Sequence, residues 1–188
     1  MPQMMRIVLT ASLGCALSAS AYAAAPTVTT EDVVDKIESP WDMAFMKDGT
    51  MFFTEKCKGL SVRMPNGTIN KLHGVGTTAG YSSASADLFC DGQAGMMGVT
   101  IDPQFASNRF IYAYSSSNQG GKLSNKVMRF KLNDAMNAVS DRTDIVADIG
   151  YKPKATKHPF GGPGAHNGGR IRFSPADGFL YVTTGDNH

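Results

Sequence analysis

Charge is scarce in this sequence. Asp, Glu, Lys and Arg make up 18% of 188 residues, and 18 basic against 16 acidic side chains leave a net charge of +2. There is no run of Lys or Arg and no interleaving of Arg with aromatics, so nucleic acid is not an expected partner. The three cysteines include no Cys-x-x-Cys-His, so covalent haem is not expected. No Asp-x-Asp-x-Asp-Gly loop and no paired-histidine motif occurs, so these residues suggest no metal site. No convincing amphipathic helix competes for a core, and the apolar run Ile7 to Leu17 is too short to span a bilayer. What is abundant is glycine, 20 residues, within a chain that is 42% hydrophobic and not of low complexity. That composition argues against disorder, a long coiled coil or collagen, and the length suggests one domain burying about 70% of its unfolded surface.

The N-terminus reads as an address. Arg6, the apolar run and Ala21-Tyr22-Ala23-Ala24-Ala25 follow the secretory signal pattern, so residues 1–23 are expected to be removed on export to the periplasm or beyond. A buried first helix and a lipoprotein site at Cys15 are the alternatives, the latter weakened by Ser12 where Leu is usual. Losing residues 1–23 removes Arg6 and no acid, so 17 basic and 16 acidic residues remain, too balanced to steer a charged partner strongly. Two cysteines remain, Cys57 and Cys90, and in an oxidising compartment a disulfide between them is expected rather than a metal site.

After a lead-in over residues 24–39, three segments share one grammar. Trp41 to Phe45 turns at Lys47-Asp48-Gly49 into Met51 to Glu55. Met97 to Ile101 turns through Asp102-Pro103-Gln104 into Arg109 to Tyr114, and Arg170 to Phe173 turns at Pro175-Ala176-Asp177-Gly178 into Phe179 to Thr184. Each pairs a short apolar strand with an aromatic or β-branched one across a Pro or Asp-Gly turn, a hairpin signal. In the first two units a second pair follows, Leu60 to Met64 with Thr68 to Leu72, and Lys126 to Leu132 with Asp144 to Ile149. Four strands recurring at roughly 55 to 75 residues predict an all-β fold of β-propeller blades. An all-β sandwich is the alternative. Residues 74–92, 115–125 and 150–168 read as long polar loops.

Gln93 precedes Pro103 by ten residues and His166 precedes Pro175 by nine, so both stand at the start of the inner strand of successive blades. Asp186 lies ten residues after Ala176 and His166 ten before it, so antiparallel pairing is expected to bring the two to one end of the sheet. A carboxylate beside an imidazole fixes its tautomer and strengthens it as a general base; the bland alternative is a solvated histidine near an unrelated acid. His73 reads as a solvated loop residue, His158 as a loop residue or one lining a cleft mouth, and His188 is the last residue. Asp42, Asp48, Asp102 and Asp177 suit turns or blade edges. Arg170 and Arg172 share a strand face, where they meet an anionic ligand or line a channel.

At Asp91-Gly92-Gln93-Ala94-Gly95-Met96-Met97-Gly98 with Asp102-Pro103-Gln104-Phe105, and at His166-Asn167-Gly168-Gly169-Arg170-Ile171 with Gly185-Asp186-Asn187, the chain resembles the glucose/sorbosone dehydrogenase family of soluble PQQ-dependent aldose dehydrogenases. The resemblance runs from about Pro40 to the last residue. It implies a six-bladed propeller binding pyrroloquinoline quinone (PQQ) and calcium, which oxidises the anomeric hydroxyl of aldose sugars to lactones. It makes His166 the base, Asp186 the acid that hydrogen-bonds it, and Gln93 a PQQ contact. Ala165 stands where the glucose-oxidising branch carries an acid, so glucose is not implied as the substrate. The calcium ligands and most cationic PQQ anchors are expected beyond residue 188. About three blades are then present, residues 40–188 being a partial propeller truncated at its C-terminus and inactive alone. A calcium-dependent lactonase-type propeller and a non-catalytic carbohydrate- or protein-binding propeller are the rival readings.

Overall fold

The computed structural model describes residues 25–152, 162 and 164–186. The chain divides into a short unit, Met1–Val33, whose described residues 25–33 carry no helix or strand, and a larger one, Val34–His188, which holds every element below. The signal-peptide reading of residues 1–23, His158 and His188 lie outside the described residues.

The first sheet is an antiparallel meander of β1 (Pro40–Phe45), β2 (Met51–Glu55), β3 (Gly59–Arg63) and β4 (Ile69–Val75). A three-residue strand, β5 (Ser83–Ser85), adds to its outer edge in parallel with β4. The second sheet repeats the meander with β6 (Met96–Ile101), β7 (Phe110–Gln119), β8 (Lys122–Leu132) and β9 (Val139–Ile149). One helical turn, α1 (Phe105–Asn108), joins β6 to β7. A third unit contributes one hairpin, β10 (Ile171–Phe173) and β11 (Leu180–Val182), with Ile171 opposite Val182. The architecture is all-β, two complete four-stranded blades and the inner hairpin of a third, as the strand repeat predicts.

Turn chemistry sets each inner hairpin. Asp48 Oδ1 accepts the Thr50 N–H, Asp102 Oδ1 the Gln104 N–H and Asp177 Oδ1 the Phe179 N–H, an acid bonding the backbone two residues on. Period-two alternation then explains why β6, β7 and β8 are buried on both faces. Ile111, Ala113, Met128 and Phe130 pack towards the first sheet with Phe52, Leu60, Val62 and Leu72. Tyr114 and Val127 point the other way, packing with Met97 and Ile171 of the neighbouring inner strands.

Three expectations need correction. Residues 115–125 are not a loop: they extend β7 and β8 into one hairpin, with Ser117 opposite Ser124 and the reversal at Gly120-Gly121. The serines suit a strand because their polarity is answered locally, Ser116 Oγ donating to Asn125 and Ser117 Oγ to Asp87. Arg170 and Arg172 keep about half their side-chain surface exposed, and both reach Asp42. Asp42 itself sits at the centre of the inner strands rather than at a blade edge.

His73 is the third correction. It is 3% exposed, lies within β4, and meets the Phe130 ring of the second sheet at 4.6 Å between centroids, tilted by 41°. Its Nδ1 meets Ser83 Oγ at 2.7 Å and its Nε2 meets Ser85 Oγ at 3.0 Å. Burial first, then the Arg142 charge, push its pKa down to about 4, against a smaller opposing pull from Asp87. The folded state therefore holds His73 neutral where the unfolded chain, near 6.5, already takes the proton. This stabilisation is complete above a pH of about 6.5 and is lost as pH falls towards about 4, a span worth about 3 kcal/mol. Asp87, held at about 2 mainly by Arg142, loses its contribution at lower pH, so the two windows separate. Urea midpoints between about pH 4.5 and 7 are expected to slope upward in the native protein and to flatten in His73→Gln. An equal slope in both proteins rules out this histidine as the cause.

Candidate active site

The structure brings Gln93, His166 and Asp186 together. Gln93 stands at the apex of a tight turn in which Asp91 and Ala94 exchange backbone hydrogen bonds at 2.9 and 3.3 Å, with Gly92 at a φ of 57°. The Gln93 Oε1 accepts the His166 N–H at 3.3 Å, although the two residues are 73 apart in sequence. His166 Nδ1 lies 2.6 Å from Asp186 Oδ1. A carboxylate only accepts, so the Nδ1 carries the hydrogen and the Nε2 keeps its lone pair. The histidine and aspartate side chains are 40% and 52% exposed, so a ligand has access to them.

The backbone around this pair is tightly fitted. His166 has a φ of 58°, a left-handed conformation that a residue with a β-carbon seldom adopts. It is followed by Gly168 at 69° and Gly169 at 94°, and beyond them the Gly169 N–H donates to the Thr183 carbonyl at 2.8 Å to start the β10–β11 hairpin. A Cβ on Gly168 would strike Thr183 and Thr184, and one on Gly185 would fall on the His166 carbonyl. The chain therefore crosses itself at van der Waals contact, which places Asp186 beside the ring.

A buried polar network underpins the turn, and the sequence reading missed it. Asn167 is 4% exposed; its carbonyl accepts the Tyr114 hydroxyl at 3.0 Å and its Oδ1 accepts the Asn125 Nδ2 at 2.9 Å. Asn167 Nδ2 in turn donates to the Gly164 carbonyl, and Asn125 Nδ2 to the Gly150 carbonyl at 2.7 Å. Burial pushes the Tyr114 hydroxyl far up, so it is a fixed donor. The second blade thus holds the residue next to His166 from below. Nothing in one sequence separates a buried Asn from a solvated one in a Gly-rich stretch.

Cys57 and Cys90 form a disulfide, with Cα atoms 5.1 Å apart. It joins the β2–β3 turn to the segment that ends in the Gln93 turn. Among the described residues no group of three or more His, Cys, Asp or Glu side chains could hold a metal ion, and no helix is long and apolar enough to cross a membrane.

Comparison with known proteins agrees with this architecture. The Glucose / Sorbosone dehydrogenase family model matches residues 37–188. The aldose sugar dehydrogenase YliI of Escherichia coli K12 is 29% identical over 174 residues, covering 92% of this chain and 42% of that protein. The chain thus spans about two fifths of the length of the curated relatives it matches. A structure from Thermus thermophilus, described as an oxidoreductase (glucose dehydrogenase), is 29% identical with a TM-score of 0.60 over 83% of this chain and 40% of that one. The PQQ-bound aldose sugar dehydrogenase of Streptomyces coelicolor is 22% identical, with a TM-score of 0.62 over 84% of this chain and 41% of that one, and bears on the fold alone. With the family match covering both blades and the hairpin that carries the His166–Asp186 pair, the chain belongs to the glucose/sorbosone dehydrogenase family.

Proposed function

We propose that these residues build the N-terminal part of the active site of a PQQ-dependent dehydrogenase that oxidises the anomeric hydroxyl of aldose sugars to a lactone. The observation that carries the reading is the 2.6 Å contact between His166 and Asp186, with Gln93 hydrogen-bonded to the His166 backbone. His166 is the general base: its Nε2 takes the proton of the sugar's C1 hydroxyl. Asp186 keeps the Nδ1 hydrogen in place, and so keeps the Nε2 lone pair available as the proton arrives. PQQ, when bound, supplies the quinone that accepts the C1 hydride. The donor set suits it, because the exposed Gln93 amide can hold a quinone or carboxylate oxygen without adding charge. No donor cluster for calcium lies among the described residues, and no step here runs through that ion.

Export to the periplasm, with removal of residues 1–23, completes the proposal. The test is to recover full-length protein from the periplasmic fraction, add PQQ and calcium, and follow aldose-dependent dye reduction together with PQQ binding. The expected result is an N-terminus at Ala24, saturable PQQ binding and reduction that needs the aldose. A protein that binds PQQ and reduces no dye with any aldose, or that does not bind PQQ, overturns the assignment.

A further inference from the structure

The Gln93 turn is held from one side by residues that have no place in the chemistry above. Lys56, in the β2–β3 turn, donates from its Nζ to the Gly92 carbonyl, and its own carbonyl accepts the Met96 N–H at 2.9 Å. A Cβ on Gly95 would run into that carbonyl and into the Lys56 side chain, so the lysine stem lies flat against the backbone just past Gln93. The neighbouring Cys57 is bonded to Cys90, three residues before Gln93. On the far side the segment is fixed by Leu88, buried and paired with Ser117, and by the Phe89 N–H donating to the Ser116 carbonyl at 3.4 Å. Between those anchors the turn adds its internal Asp91–Ala94 pair, the Gln93 contact with the His166 N–H and the buried Ala94, and just past it the Gly95 carbonyl accepts the Ser116 N–H at 3.0 Å. Gln93 itself is exposed, so packing does not fix its amide.

We propose that the β2–β3 turn, through Lys56 and the Cys57–Cys90 bridge, is the positioning element of Gln93 and, through the Gln93 Oε1, of the His166 backbone. Neither Lys56 nor the bridge touches a reacting atom. They act by restricting where the Gln93 amide can go, one tether on each side of Asp91. The consequence for cofactor binding rests on the function proposed above, whereas the mechanical claim does not.

The test uses full-length protein in four forms: native, Lys56→Met, Cys57→Ser with Cys90→Ser, and all three substitutions together. Amide hydrogen exchange and PQQ affinity are measured in each. In the combined variant the Ala94 and His166 amides are expected to exchange about tenfold faster, while Phe52 and Ile111 in the blade cores keep their native rates. PQQ is expected to bind about tenfold more weakly, with Lys56→Arg restoring affinity when the disulfide is intact. Unchanged Ala94 and His166 exchange in the combined variant overturns the proposal, as does acceleration spread equally over all strands. If the two amides loosen as expected but even the native protein does not bind PQQ, the positioning claim stands and the cofactor reading falls.

Discussion

Replacing His166 by Ala is expected to lower the PQQ-loaded turnover of aldose by about 10² to 10⁴, the usual contribution of a positioned general base. The effect is expected in kcat rather than in PQQ affinity, because the Gln93 contact is to the His166 backbone N–H, which alanine keeps. Added imidazole is expected to recover part of the rate, since the missing group is a proton acceptor and truncation leaves space for one. Asp186→Asn gives the complementary result. An amide can donate to Nδ1, which moves the ring hydrogen to Nε2 and removes the lone pair the sugar hydroxyl needs. Turnover is therefore expected to fall by about 10² or more even though the imidazole itself is still present. Full turnover in His166→Ala eliminates the base assignment. A loss in His166→Ala with native turnover in Asp186→Asn keeps the base and removes the orienting role.

Asp48, Asp102 and Asp177 announce the inner hairpins because an acid bonding the backbone two residues on is a local event, complete within the turn itself. The juxtaposition of His166 and Asp186 follows from one such turn, since a hairpin converts equal separation in sequence into proximity. The Gln93–His166 contact follows from their similar positions at the start of successive inner strands. The features that escaped are those decided by a distant partner. His73, flanked by Gly74, reads as a loop residue; it is in a strand because β5 pairs beside it and the Tyr81 ring lies over Gly74, where a Cβ would crowd it. Ser115 to Ser117 read as loop by polarity, yet they form strand because Asp87 and Asn125 answer the Ser117 and Ser116 hydroxyls. Lys56 looks like any exposed turn lysine until the Gly92 carbonyl is seen beside it.

Asp42 gives the largest expected effect on stability. Its side chain is 3% exposed and lies on β1, where three blades meet. Its Oδ2 accepts the Val99 N–H of β6 at 3.1 Å and the Arg172 Nη1 of β10 at 2.9 Å, and its Oδ1 accepts the Arg172 Nη2 at 2.7 Å. The Arg170 Nη1 is 2.6 Å away and donates to the Trp41 carbonyl, whereas Arg172 holds the carboxylate with both of its Nη atoms and is the principal partner. Burial works to raise the Asp42 pKa, but the Arg172 fork and the Val99 amide outweigh it and hold the carboxyl below its ordinary range. Asp42→Ala leaves a buried N–H without its acceptor and two arginines without their counter-charge. Breaking a fully buried pair typically costs about 3–5 kcal/mol. Both arginines are half exposed and regain water, so the expected loss is about 3 kcal/mol, a drop in Tm of roughly 10 °C. A cycle of Asp42→Ala, Arg172→Met and the double variant, followed by denaturant unfolding, separates the fork from the amide bond. The double variant is expected to be less destabilised than the sum of the singles, because with Arg172 gone the loss of Asp42 no longer strands its guanidinium. Strict additivity would mean that Arg172 is a bystander and that Asp42 holds β1 to β6 through the backbone alone.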